Sequence, residues 1–173
     1  MKDEVFYGQY LVIMMDLLGQ KEMYKNLESY TQSGREAEPE FMEELKGFIR
    51  AIDYFKKDVD SFLNESNKLT SESELPEEAK EFVEKSNGEL CKIQRFSDGI
   101  MLYVPLIDTA KAFPVSSVYT ALLCTCSTLL MSMAKGNPIR VGIGIGGAAE
   151  IDEGELFGPA IGYAHEMESK RAK

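Results

Sequence analysis

Residues 10–15 read YLVIMM, six apolar residues in a row that break off at Asp16. A strand with one wet face alternates apolar and polar side chains, whereas an unbroken apolar run suits a central strand covered on both faces. The rest of the chain has to supply that cover. From Gln20 to about Tyr30 the pattern turns charged and helical, and SGREAEPE reads as a loop. A long amphipathic helix from about Pro39 to Asn64 follows, with Phe41, Leu45, Phe48, Ile49, Ile52, Phe55 and Val59 at helical spacing. The polar stretch 67–78 reads as a connection or surface insertion, with Pro76 near the first turn of a short helix running to Lys85.

Two β-prone runs, ELCKIQRF and IMLYVPL, flank SDG and predict a hairpin with Asp98 at its tip. Residues 115–135 hold a nearly all-apolar helical pattern that stops at Gly136, Asn137 and Pro138, and this is expected to be the buried helix of the fold, with Met131 and Met133 in the core. A Gly-rich strand, IRVGIGIGGAAEI, and a final helix from Gly158 complete the chain. The whole of 1–173 is expected to form one domain of α+β class. Its order, β-α-α-β-β-α-β-α, is ferredoxin-like, with the first strand beside the hairpin in a mixed or antiparallel sheet. GIGIGG at 142–147 lies inside a strand and lacks the frame of a dinucleotide loop, so it predicts close backbone packing.

The net charge of −10 comes with no block of Lys and Arg, which disfavours nucleic acid as a partner. An acidic chain handles a triphosphate only where metal ions or clustered N–H groups offset the charge. Cys91, Cys124 and Cys126 lack C-x-x-C spacing and His165 is the one histidine, so neither a zinc site nor a disulfide framework is expected. Cys124 and Cys126 read as buried small hydrophobes. No apolar run reaches the ~18 residues of a membrane span and the N-terminus is too polar for a signal peptide, so a cytoplasmic protein without membrane contact is expected.

Asp16 follows its strand directly and Asp98 caps IQRFS. If the first strand pairs with the hairpin, both carboxylates project from one edge of the sheet and meet, and such a pair repels unless a cation lies between. Oxygen ligands without His or Cys point to Mg²⁺ or Mn²⁺. Behind Asp16, Leu17-Leu18-Gly19 reads as a tight turn into a helix whose first N–H groups suit a phosphate. The alternative is that Asp16 N-caps this helix and Asp98 only occupies a hairpin turn.

MDLLGQK at 15–21, FSDGIML at 96–102, RVGIGIG at 140–146 and GPAIGYAHEMES at 158–169 stand in the order of four motifs of class III adenylyl and guanylyl cyclases, and the chain resembles that family. The variants FSD, FGPA and Y-A-x-x-M-E-S look closest to the bacterial pyrimidine cyclases of the Pycsar anti-phage systems, which signal with cyclic UMP or cyclic CMP. The resemblance implies two Mg²⁺ or Mn²⁺ ions held by Asp16, Asp98 and the Leu17 carbonyl. It implies a nucleoside triphosphate closed to a cyclic monophosphate, with phosphates on Leu17, Leu18 and Gly19. It also implies a homodimer with shared sites, the final helix facing the partner's 16–19 turn.

Gln94 and Glu155 fall where the family reads the base, and Gln94 replaces a purine-reading Lys. Gly162 and Glu166 replace the family's catalytic Asn and transition-state Arg, leaving Arg95 and Arg140 as candidate catalytic cations. The chain also stops before the strands that carry the family's triphosphate-binding Lys, as a C-terminally truncated core would. The same departures favour a rival, a non-catalytic dimerising nucleotide sensor. A diguanylate cyclase fits less well, because its G-G-D/E-E-F signature is absent.

Overall fold

A computed structural model describes residues 6–34, 36–71, 91–106, 115–152 and 155–171. The short helix expected near Pro76 to Lys85 lies outside these residues. The elements are β1 (Phe6–Leu17), α1 (Gln20–Ser33), α2 (Pro39–Ser71), β2 (Lys92–Arg95), β3 (Gly99–Pro105), α3 (Val115–Ala134), β4 (Ile139–Asp152), β5 (Glu155–Phe157) and α4 (Pro159–Glu166). After α4 the chain continues in one wider π turn, Met167–Arg171. The sheet order is β2-β3-β1-β4-β5 with every neighbouring pair antiparallel, so the expected ferredoxin-like sheet is antiparallel rather than mixed. The three-residue β5 was not legible in the sequence, and α2 runs past Asn64 because no Gly or Pro interrupts it before Pro76.

β1 lies in the middle, as its unbroken apolar run requires. Leu11, Ile13, Met15 and Leu17 join α2 and α3 on one face, with Phe55, Val59, Leu102 and Cys124. Tyr10 and Val12 turn to the other face, against Tyr103, Ala148, Ala160 and Ala164. Each fully buried side chain of this strand contributes roughly 1.5–3 kcal/mol, so the fold rests on its central strand.

α4 lies against β4, which explains the glycines. A Cβ at Gly144 would stand 2.6 Å from the Ala164 nitrogen and 2.7 Å from the Ala160 oxygen, and one at Gly142 would stand 2.5 Å from the Glu168 nitrogen. The alternate glycines of GIGIGG let helix backbone approach sheet backbone, as the sequence predicts.

α3 departs from expectation. Its buried side is small and largely polar: Ser117, Ala121, Cys124, Thr125, Thr128 and Ser132. Leu130 (67% exposed), Met133 (61%), Met131 and Leu123 face outward, so Met131 and Met133 are not core, and Cys126 is exposed. Small side chains allow close approach to α2, where Cys124 Sγ lies 3.8 Å from the Val59 oxygen, and Thr125 Oγ1 donates to the Ala121 oxygen at 2.7 Å. Contrary to the sequence reading, this helix is by length and composition long and apolar enough to cross a membrane, although here it packs on α2, β1 and β3.

Candidate active site

Asp16 stands at the end of β1 with Gly99 of β3 opposite on one side and Arg140 of β4 on the other. The hairpin tip reaches this same end of the sheet, because the Leu17 N–H donates to the main-chain carbonyl oxygen of Asp98 at 3.4 Å. Gly99 permits the approach: a Cβ there would lie 3.1 Å from the Met15 oxygen and 3.8 Å from Asp16 Oδ1. Asp98 Oδ2 accepts from the Tyr24 hydroxyl at 2.8 Å, and Oδ1 accepts from Ser97 Oγ at 2.8 Å. Burial, the hydrogen bond to Asp98 and the Asp98 charge push the Tyr24 phenol above its ordinary pKa, with a further push from the charge of Asp16. One hydroxyl therefore feels both carboxylates.

Asp16 does not cap α1. The Leu18 N–H donates to the Pro138 oxygen at 2.9 Å, Gly19 takes a left-handed φ of 101°, and no side chain caps the helix. Only a residue without a Cβ turns here cheaply. The first turn of α1 is left open beside a cleft of about 620 Å³, lined by Asp16, Leu17, Leu18, Gly19, Lys21, Tyr24 and Arg140. That volume is in the range of small-ligand sites.

Arg140 bridges two acids. Its Nη2 lies 2.7 Å from Asp16 Oδ2 and its Nε lies 2.8 Å from Glu168 Oε1. Glu168 is 3% exposed and also lies 3.5 Å from His165 Nδ1. The wide turn after α4 thus reaches Asp16 of the same chain through Arg140.

The other candidates lie elsewhere. Arg95 pairs with Asp60 of α2. Gln94 is on β2 and Glu155 on β5, at opposite edges of the sheet, and neither is among the described residues lining the cleft. The Gln94 Oε1 is buried with no hydrogen-bond partner among the described residues. Gly162 is exposed, and Glu166 pairs with Lys170 at 3.2 Å. Lys21, Tyr24 and Glu168 were missed as site residues. Lys21 and Tyr24 follow Asp16 by less than three turns of helix, and a first-turn Lys beside a proposed phosphate turn was the available signal.

No group of three or more His, Cys, Asp and Glu gathers for a metal among the described residues. Mg²⁺ does not need one: it keeps several waters and takes one or two carboxylates together with substrate phosphates. Two partly exposed carboxylates from adjacent strand ends, all oxygen donors beside an open cleft, fit that ion.

No family model matches the chain, and no curated protein matches it in sequence. Solved structures do. The catalytic core of a rhodopsin-guanylyl cyclase with converted specificity, in complex with ATPalphaS, gives a TM-score of 0.54 at 14% identity over 96% of this chain and 74% of its own. A bacterial light-regulated adenylyl cyclase gives 0.51 at 8% identity, covering 95% and 70%. The monomeric guanylyl cyclase domain of the RhoGC fusion protein from the aquatic fungus Blastocladiella emersonii gives 0.51 at 14%, covering 96% and 77%. With its antiparallel sheet, central β1 and helices on both faces, this chain has the fold of adenylyl and guanylyl cyclase domains.

Proposed function

We propose that the chain is a metal-dependent nucleotidyl cyclase, converting a nucleoside triphosphate to a 3′,5′-cyclic monophosphate and pyrophosphate. The observation that carries this reading is the meeting of Asp16 and the Asp98 tip at one end of a cyclase-fold sheet, beside an uncapped helix start. Asp16, Asp98 and the Leu17 carbonyl hold the cations, and Tyr24 and Ser97 fix the Asp98 rotamer. The N–H groups after Leu18 and Gly19 receive phosphate oxygens, and Lys21 and Arg140 supply positive charge on the cleft wall. Two Mg²⁺ or Mn²⁺ ions, when bound, make the ribose 3′-hydroxyl a better nucleophile at the α-phosphate and offset the charge of the departing pyrophosphate.

UTP or CTP is the proposed substrate class, supported by Gln94 where a purine-reading Lys would stand and by the likeness to anti-phage pyrimidine cyclases. A cytoplasmic homodimer with shared sites follows from the same likeness, and it is the arrangement in which Gln94 and Glu155 of one subunit serve the metals of the other. A non-catalytic nucleotide sensor is the second reading. It is favoured by the exposed Gly162 and by Glu166, which turns to Lys170 rather than offering a cation.

Incubation with each of four labelled triphosphates and Mn²⁺ tests the choice. Cyclic product from a pyrimidine triphosphate is expected; nucleotide binding without product from any of the four gives the sensor. For the shared site, an Asp98→Asn subunit mixed with one altered at Gln94 and Glu155 should regain activity, and failure to complement removes that claim.

A further inference from the structure

The arginine that bridges Asp16 and Glu168 poses a problem for any cation that uses Asp16. A guanidinium at 2.7 Å occupies one oxygen of that carboxylate, and a divalent ion taking the oxygen must displace it. What happens to the arginine then depends on its other contact. Glu168 is 3% exposed, and a buried carboxylate is costly without a partner. It is also fixed in place, because its backbone nitrogen lies where a Cβ on Gly142 would collide. Arg140 Nη2 hydrogen-bonds Asp16, whereas Nε, 2.8 Å from Glu168 Oε1, is held by charge without a hydrogen bond; because Glu168 is buried and cannot move away, the Nε end stays when a cation displaces Nη2.

The geometry points to Glu168 as a positioning residue for the cation site. It holds Arg140 as the resident counter-charge of Asp16, and it keeps the guanidinium at the cleft wall, facing the bound phosphates, once a divalent ion takes the Asp16 oxygen. The inference rests on the cyclase reading of Asp16 and deepens it: positive charge is supplied from β4 in a chain whose final helix carries Glu166 instead of an arginine. The link runs between two elements distant in sequence, so the terminal turn acts on the metal ligand without touching it.

Mn²⁺ binding to the full chain, followed by electron paramagnetic resonance of the free ion, gives a readout that does not need turnover. Arg140→Gln removes the competing cation and should tighten Mn²⁺ binding roughly two- to fivefold, the range of a partly exposed ion pair. Glu168→Gln keeps the shape of the side chain but removes its charge and leaves Arg140 to Asp16 alone, and should weaken binding by a similar factor. In the Arg140→Gln background the Glu168→Gln effect should vanish, because it acts only through the arginine.

Equal weakening by Glu168→Gln in both backgrounds would mean a plain field effect and overturn the proposal, as would unchanged affinity in both single variants. If Arg140→Gln alone does not fold, because Glu168 is left unpaired, the neutral pair Arg140→Gln/Glu168→Gln replaces it. That double variant must bind Mn²⁺ more tightly than the unaltered chain and Glu168→Gln less tightly, and equal affinities overturn the idea. No Mn²⁺ binding by the unaltered chain, or binding that survives Asp16→Asn, overturns the metal reading itself and this inference with it.

Discussion

Asp98 is held by two hydroxyls, from Tyr24 and Ser97, and this decides what its replacement does. Asp98→Asn keeps an oxygen acceptor and the side-chain volume while removing the charge, so unfolding free energy should stay within about 0.5 kcal/mol of the unaltered chain. Mn²⁺ binding and cyclic product should both be lost. Chemical denaturation beside a product assay checks this, and loss of folding would make Asp98 structural. The same variant bears on Tyr24, whose raised pKa means that the folded chain keeps a proton that the unfolded chain releases. The contribution of Tyr24 to stability is therefore whole below the ordinary tyrosine pKa of ~10 and declines as pH rises through the raised value. Ultraviolet titration against a Tyr24→Phe reference should show the phenol ionising above its usual range, and Asp98→Asn should bring it down. Asp16 and Asp98 were legible because a carboxylate ending an apolar strand is conspicuous. Tyr24 and Glu168 were not, since their meaning comes from partners across the sheet that no local spacing records.

Among the elements, α3 shows where periodicity stops being informative. When nearly every position is apolar or small, no face stands out, and the choice falls to fit: Ala121, Cys124 and Thr128 let the helix settle on α2 and the sheet, and the large side chains are left outside. Thiol chemistry reports this orientation. Burial pushes the Cys91 thiol up to about 12 and the Cys124 thiol up to about 11, and the thiolate is the reactive form. With a maleimide at neutral pH, Cys126 should be the first to react while Cys91 and Cys124 stay protected; rapid labelling of Cys124 would contradict the packing. The glycines of β4 were legible as a packing stripe, and a substitution pair tests them. Gly144→Ala forces α4 off the sheet and should cost about 1–3 kcal/mol, the usual penalty of overpacking. Gly147→Ala, with nothing within 4 Å of its new methyl, should cost far less; equal losses in denaturant titrations would dismiss the contact.

For the molecule as a whole, the run of elements was enough to place β1 centrally and the hairpin beside it, because only the middle of a sheet hides a strand that is apolar on both sides. The opposite-edge positions of Gln94 and Glu155 were beyond reach, since they depend on where β2 and the three-residue β5 fall in the sheet. A ligand that binds only the folded state stabilises the entire domain by mass action, about 2.7 kcal/mol at a concentration 100 times Kd. Millimolar Mn²⁺ should therefore raise Tm in the unaltered chain and not in Asp16→Asn, whereas an equal rise in both would indicate mere screening of the −10 charge. The central position of β1 also has a consequence for synthesis. Tyr10 leaves the ribosome well before its partners, Pro105 and Gly146. At ~5–20 residues per second the wait for β4 is on the order of ten seconds. Throughout that interval at least one edge of this apolar strand stays unpaired, even after β3 has been made, which makes YLVIMM a natural holding site for a chaperone and a translational pause before Ile139 a hazardous place for this protein to stall.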